Sequence, residues 1–371
     1  MLKIAQLSSA HPRYDTRIFI KMCSSLAAHG YDVSLVVADG LGDELKAGVS
    51  IVDAGVKPGG RLSRMTKTVR RVYEKALELN ADVYHLHDPE LIPIGLKLKK
   101  RGKIVIMDSH EDLPKQIMGK SYLKPFIRSF ISKVFEVYEK IVCGKFDAIV
   151  AATPHIRDKF LIINSNTIDV CNFPVLNEFM SIEPSKHKAN ECAYIGSFDI
   201  ARGINEIVEA MEYTDSIRLN LGGQFKDSKL EKDVKNKPSW SLVNELGFLN
   251  RDQIVEVFQR SRVGLVTLHA LPNYIDALPV KLFEYMSAGL PVIASKIPLW
   301  QEIVEDANCG LCVDPLSPKE IGEAIMYFME NPEEAVQMGI NGRKAIEEKY
   351  NWDIEEQKLL NLYSKLSSSN K

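Results

Sequence analysis

The chain has 371 residues, 45% hydrophobic and 26% charged, with a formal net charge of -2. Single cores stop growing near about 250–300 residues, so this length excludes one ordinary α/β core and predicts two domains. Residues 1–180 carry 26 Lys+Arg against 20 Asp+Glu and the remainder 21 against 29, an excess too weak for a nucleic-acid face, though one that suits an anionic membrane surface or plain variation among solvated faces.

Lys3–Leu7 reads as a strand at the start of the chain rather than as a signal peptide, because no long apolar core or small-residue cleavage pattern accompanies it. An amphipathic helix is expected over Thr16–His29, stopped by Gly30, and a strand over Asp32–Val37. Further strands are expected at Val83–Leu86, Lys103–Met107 and Ala148–Ala152. The periodicity breaks near Asn172–Glu183, which places a boundary there. The pattern then restarts, with strands at Cys192–Ile195, Ile217–Leu221, Val263–Thr267 and Pro291–Ala294. Helices are expected at Gly203–Met211, Pro279–Ser287 and Pro318–Met329. Alternating strands and helices predict βαβ units and parallel sheets. The last helix, from Trp352 to about Leu366, carries the stripe Leu359, Leu360, Leu362, Tyr363 and Leu366. No strand follows it, so packing back on the first domain is one way to bury that stripe. The domains are thus set at residues 1–178, 179–350 and a terminal helix at 351–371.

No apolar run approaches 18 residues, so no membrane span is expected. Of six cysteines only Cys309 and Cys312 have CxxC spacing. No second pair or matching histidines follow, so a structural role in a reducing cytoplasm fits. Neither first strand leads into GxGxxG, and no GxxxxGK[ST] occurs, which argues against nicotinamide, flavin and P-loop enzymes.

The most informative stretch runs from Tyr274 to Ser295. Asp276 and Glu284 are two acids with seven residues between them, and Pro279 sits where a helix would start. A helix start gathers free N–H groups and the positive dipole end, which suits a diphosphate. Glu284, inside the helix, can accept bonds from a cis-diol such as ribose. Asp276, in the loop before it, can reach a sugar beyond the phosphates. Lys281 adds a phosphate contact or merely an i,i+3 pair with Glu284. In the first half, the clusters His85 to Glu90 and Asp108 to Asp112 follow strands, where open α/β sheets face their ligands. Asp88 and Asp108 are also good helix caps, and His85 fits a satisfied core residue. Arg17 reaches a phosphate or pairs locally with Asp15.

At this point the sequence resembles the retaining GT-B glycosyltransferases of family 4, often labelled glycosyl transferase group 1. The resemblance implies an α/β fold of two facing Rossmann-like domains with an interdomain cleft. Glu284 matches the second acid of the family's acid-x7-acid motif, which binds the nucleotide ribose. Asp276 matches the first, which contacts the donor hexose, with Asp in place of the usual Glu. Tyr194 to Gly203 resembles the family's diphosphate loop, in which Arg202 stands for the usual Lys and Ser197 replaces the usual Arg. His110 matches the strand-end histidine beside the donor sugar. The resemblance therefore implies His110, Asp276 and Arg202 as catalytic, and Glu284, Lys281, Ser197, Gly196, Leu249 and Leu282 as donor-binding. Arg17, His87 and Asp88 fall on the acceptor or phosphate side. No metal or other cofactor is implied.

The implied reaction moves a hexosyl group from a UDP-sugar, or second a GDP-sugar, to a saccharide or lipid-linked acceptor, as in surface polysaccharide or O-antigen assembly. A sugar-nucleotide epimerase on the same fold, or a non-catalytic partner subunit, is the alternative. A cytoplasmic location, with peripheral contact on the inner face of an anionic membrane, goes with that reading. The stretch from Lys115 to Lys140 supports it, mixing Ile117, Met118, Tyr122, Leu123, Phe126, Ile127, Phe130 and Ile131 with Lys115, Lys120, Lys124, Arg128 and Lys133. Its regular helix is expected from Pro125, and the apolar stripe could instead pack on the sheet. Arg61, Arg64, Lys67, Arg70 and Arg71 form a second basic stretch.

Overall fold

The computed structural model describes residues 2–57, 59–60, 63–119 and 124–368. Arg61, Lys120, Tyr122 and Leu123 of the two basic stretches lie outside them. The chain divides into two compact units, one of Met1–Asn172 with Ile354–Lys371, the other of Phe173–Asp353. The division falls after Asn172 rather than after residue 178, and the return to the first unit begins at Ile354 rather than at residue 351.

The first unit holds β1 (Lys3–Leu7), β2 (Asp32–Val37), β3 (Glu44–Lys46), β4 (Val49–Asp53), β5 (Val83–Leu86), β6 (Ile104–Ser109), β7 (Ala148–Ala151) and β8 (Thr167–Asp169). They form one sheet in the order β3-β4-β2-β1-β5-β6-β7-β8. Every pairing is parallel except β3 with β4. The strands β5, β6 and β7 are buried along their whole length, as a sheet covered on both faces requires. Strand order turns at β1, so the ends of β1, β5 and β6 converge where such sheets bind ligands.

The segment expected as one α-helix from Thr16 winds differently. Thr16–Cys23 is a π-helix that runs on into an α-helix at Ser24–Ala28. The Asp15 carboxylate accepts the N–H groups of Arg17 and Ile18, at 2.9 and 3.0 Å. The wider turn aims two cations inward: Arg17 toward β6, and Lys21 at Asn172 Oδ1, 2.6 Å away.

The terminal helix, Trp352–Ser368, buries Leu359, Leu362, Tyr363 and Leu366 within the first unit. The Tyr363 hydroxyl accepts from Gln6 Nε2 at 3.0 Å and lies 2.9 Å from His85 Nδ1. Glu355 accepts the Cys171 N–H at 2.7 Å, and Lys358 bridges Asp169 and Glu355.

The second unit holds β9 (Glu191–Ile195), β10 (Arg218–Gly222), β11 (Val243–Gly247), β12 (Val263–Val266), β13 (Val292–Ser295) and β14 (Gly310–Val313). Its sheet is parallel throughout, in the order β11-β10-β9-β12-β13-β14. The order turns between β9 and β12, which brings Gly196 and Thr267 to the ligand-facing edge.

Candidate functional site

The second unit supplies the more telling cluster. Helix Val280–Ser287 follows β12 and a long loop, with Pro279 as its N-cap rather than its first residue. The Trp300 indole N–H donates to the Ala277 carbonyl at 2.7 Å and so anchors that loop. Leu282, Phe283, Tyr285 and Met286 form the helix's buried face. Leu282, expected at the donor, is wholly buried. Its side chain belongs to the core, and its N–H is used by the Pro279 carbonyl at 2.9 Å.

Lys281 and Glu284 take different partners. The i,i+3 pair between them does not form. Glu284 takes Arg251 instead, Nη1 to Oε1 at 2.9 Å. The Lys281 stem is partly exposed, yet its Nζ is shut off from solvent and has no hydrogen-bond partner among the described residues. It lies 3.8 Å from the centroid of the Tyr194 ring. Burial, and then the neighbouring Arg202 charge, bring the Lys281 pKa down to about 7, against the smaller pull of Glu284 and Asp199.

Gly196 makes this arrangement possible. It ends β9 with φ at +150°, and a Cβ there would come within 2.9 Å of Lys281 Nζ and 3.7 Å of an Arg202 Nη. Gly223 backs it, since a Cβ at that position would strike the Gly196 carbonyl at 1.8 Å. Arg202 is held by Asp199 at 3.2 Å. Burial works against the Arg202 charge, but Tyr194, Tyr274 and Asp199 outweigh it and raise its pKa. Ser197 uses its carbonyl to accept from the Tyr194 hydroxyl at 3.1 Å. Leu249 packs over the end of β10, its Cδ1 2.7 Å from where a Cβ on Gly222 would lie. Asp276 is half-buried in the loop before the helix. Two cations, a glycine turn and a helix start thus converge on one spot, an arrangement able to hold a diphosphate.

The first unit carries a buried polar chain. Asp108, wholly buried in β6, receives Arg17 through Nε at 3.0 Å and Nη2 at 2.7 Å. It also meets His87 Nδ1 at 3.0 Å and His110 Nε2 at 2.8 Å. Burial opposes the Asp108 charge, but Arg17, His110 and His87 hold its pKa well below the usual carboxylate range. His87 continues to Gln6 Oε1 at 2.6 Å. Burial lowers its pKa despite Asp108.

These bonds revise two expectations. Arg17 meets Asp15 only through its backbone N–H, and its guanidinium is not open to a phosphate, since it is spent on Asp108 and on the Val170 carbonyl at 2.6 Å. Asp88 does not cap the following turn. It accepts the Ser9 and Ala10 N–H groups at 2.6 and 3.2 Å and so shapes the loop after β1. His87 and Asp88 are both buried, whereas His110 keeps partial exposure. His11, not singled out by the sequence, lies over His110 with ring centroids 5.0 Å apart.

Two groups among the described residues have metal-like proximity, His85–His87–Asp108 and Asp169–Cys171–Glu355. Arg17 and Gln6 already engage the first, and Lys358 and Arg157 the second. Asp108→Asn should therefore behave as a structural lesion. It leaves the Arg17 charge buried and half-paired, at a cost of about 3–5 kcal/mol, which thermal melting would show as a marked fall in Tm. An unchanged Tm would contradict it. Because the folded pKa is depressed, the carboxylate's stabilisation is complete above about pH 4 and fades only in stronger acid.

The exposed stripe is also settled for the described residues. Helix Pro125–Cys143 packs through Ser132, Glu139, Val142 and Cys143. Phe126, Phe130, Val134, Val137 and Ile141 face away, each between 53% and 70% exposed. Of the expected stripe, Phe126, Phe130 and Ile131 are exposed, whereas Ile117 is buried. Among the described residues no helix is long and apolar enough to cross a membrane. The second basic stretch is partly neutralised, with Arg64 on Glu90 and Arg70 on Glu74.

The sequence matches the family described as Glycosyl transferases group 1 over residues 177–345, and Glycosyltransferase Family 4 over residues 16–166. An uncharacterized glycosyltransferase of Methanocaldococcus jannaschii, MJ1607, is 23% identical over 310 residues, 76% of this chain and 75% of that protein. A sucrose synthase of Denitrovibrio acetiphilus is 31% identical over 170 residues, 41% of this chain but only 22% of that protein. A second M. jannaschii relative, the uncharacterized glycosyltransferase MJ1178, is spanned over 44% of its length. Among solved structures, sucrose-phosphate synthase from Thermosynechococcus elongatus superposes with a TM-score of 0.80 at 19% identity over the full length of both chains. HepE of Anabaena, in complex with UDP-glucose, gives 0.73 at 14%, covering 98% of this chain and all of that one. With a parallel sheet in each unit and both family matches in place, the chain belongs to the group 1, family 4 glycosyltransferases of GT-B fold.

Proposed function

We propose that this chain transfers a hexosyl group from a nucleotide diphosphate sugar to a saccharide or lipid-linked hydroxyl, with retention, in the assembly of a surface polysaccharide. One observation carries the reading: Lys281 Nζ is buried, without a hydrogen-bond partner among the described residues, beside Arg202 and Gly196. A desolvated cation is costly unless an anion completes it. The diphosphate is that anion. Lys281, Arg202 and the helix start meet its charge, with no metal ion assigned a part, and they stabilise it as it leaves. Glu284 takes the ribose and Asp276 the hexose, while His110 remains the histidine to test for turnover. The leaving phosphate takes the acceptor proton on the same face. UDP-sugars come first, which the UDP-glucose complex of HepE supports, and GDP-sugars second. Lys281 and Arg202 together supply two cations despite Ser197, which weighs against a non-catalytic partner.

A thermal-shift screen of UDP- and GDP-sugars tests this. Ligand at 100 times its Kd should stabilise by about 2.7 kcal/mol, a clear rise in Tm. No shift with any of them would sink the reading.

In the same reading the first unit rests on an anionic membrane through the outer face of helix Pro125–Cys143. The exposed Lys124, Lys133 and Lys140 flank its apolar residues. Replacing Phe126 and Phe130 together with Ser should weaken sedimentation with anionic vesicles roughly tenfold. Equal binding by the variant would contradict this placement.

A further inference from the structure

We propose that Arg251 is a positioning residue for Glu284, and that it thereby sets the preference for a ribose over a 2′-deoxyribose nucleotide. The inference rests on the reading of Glu284 as the ribose acceptor. Arg251 is the first residue of helix Arg251–Arg260, whose start is locked by reciprocal bonds between Asn250 and Gln253. Its Nε donates to Glu178 Oε1 at 2.6 Å, and Nη2 meets the same carboxylate. Its guanidinium carbon lies 5.1 Å from the centroid of the buried Phe179 ring. Its remaining arm, Nη1, reaches Glu284 Oε1 at 2.9 Å.

One guanidinium is thus anchored by one carboxylate and an aromatic ring while it aims a second carboxylate. Arg suits this task, because its rigid fork fixes direction as well as charge. The contact engages Oε1, so Oε2 remains for vicinal hydroxyls. The side chains are exposed by 43% for Arg251, 28% for Glu178 and 14% for Glu284. Ion pairs so open to water add little to stability. A pre-aimed Glu284, however, has no rotamer freedom left to lose when the diol arrives. Removing Arg251 should therefore weaken nucleotide binding most where the 2′-hydroxyl stands beside the 3′-hydroxyl for Glu284 to read the pair.

Calorimetry with UDP and 2′-deoxy-UDP, and with GDP and 2′-deoxy-GDP in parallel, tests this on the full chain. The wild type should bind the ribonucleotide about tenfold more tightly than its deoxy analogue, the scale of one charge-assisted hydrogen bond. Arg251→Met should erase most of that ratio, lowering ribonucleotide affinity roughly five- to tenfold with deoxynucleotide affinity and Tm little changed. Arg251→Lys should restore part of it. An equal loss for both nucleotides, or no loss for either, would overturn the role of Arg251 while leaving the Glu284 reading intact. A wild type that binds ribo- and deoxynucleotide equally, or binds neither, would overturn both.

Discussion

Glu284→Ala is expected to raise the donor KM and weaken nucleotide binding by about a hundredfold, with little change in Tm. A carboxylate accepting ribose hydroxyls makes charge-assisted bonds worth about 1.5–3 kcal/mol each, so one or two of them span this range. The same carboxylate does little for the fold. Its protein partner is the half-exposed Arg251, which keeps Glu178 when Glu284 is gone. A pair of that kind contributes about 0–1 kcal/mol. Titration of UDP by calorimetry, beside a thermal melt of the same sample, separates the two effects. Unaltered binding would refute the site, and a collapse of Tm would recast Glu284 as structural.

Lys281→Met should do the opposite to stability. Diphosphate binding should be lost, yet the ligand-free protein should melt higher. In the free protein the Lys281 pKa is about 7, lowered first by burial and then by Arg202. An unfolded lysine titrates near 10.4. The folded pKa is thus depressed, and between about pH 7 and 10 the unfolded chain binds more protons. Stability must rise with pH across that window, and below it the charged, unpaired lysine costs up to about 5 kcal/mol. Methionine fills similar space without the charge. Bound phosphate reverses the preference by favouring the ammonium form. At pH 8 wild-type binding should therefore take up close to one proton, and UDP affinity should fall as pH rises above 7. Calorimetry in buffers of different ionisation enthalpy measures that uptake, and Lys281→Met should abolish it. A variant that is less stable and still binds UDP would contradict the argument.

Much of the fold is legible in the chain because buried parallel strands announce themselves as short apolar runs. Val83–Leu86, Ala148–Ala151 and Val292–Ser295 are of that kind. The three-residue strands β3 and β8 are not, since Glu44–Lys46 and Thr167–Asp169 are too short to show a period. The π-winding of Thr16–Cys23 is hidden for another reason. No local signal marks it, and its inward cation Arg17 is paired with Asp108, far along the chain. The same limit applies to the site. Asp276, Glu284 and Lys281 share one local motif, so spacing alone picks them out together. Arg251 pairs with Glu284 only through folding, and its one local sign is an Arg just after a good helix cap. Membership of a motif does not say which face of a helix a side chain takes, and the Leu282 side chain lies in the core. In the sequence Arg17 looks able to reach a phosphate and His87 looks like an open strand-end ligand, and only the three-dimensional arrangement shows their atoms already engaged.

A crystal structure of the chain with UDP tests the central claim most directly. The account predicts the diphosphate within hydrogen-bond reach of Lys281 Nζ and the Arg202 guanidinium, close against Gly196, with the ribose hydroxyls on Glu284. A nucleotide seated elsewhere, with Lys281 Nζ still unpartnered beside Tyr194, would contradict it.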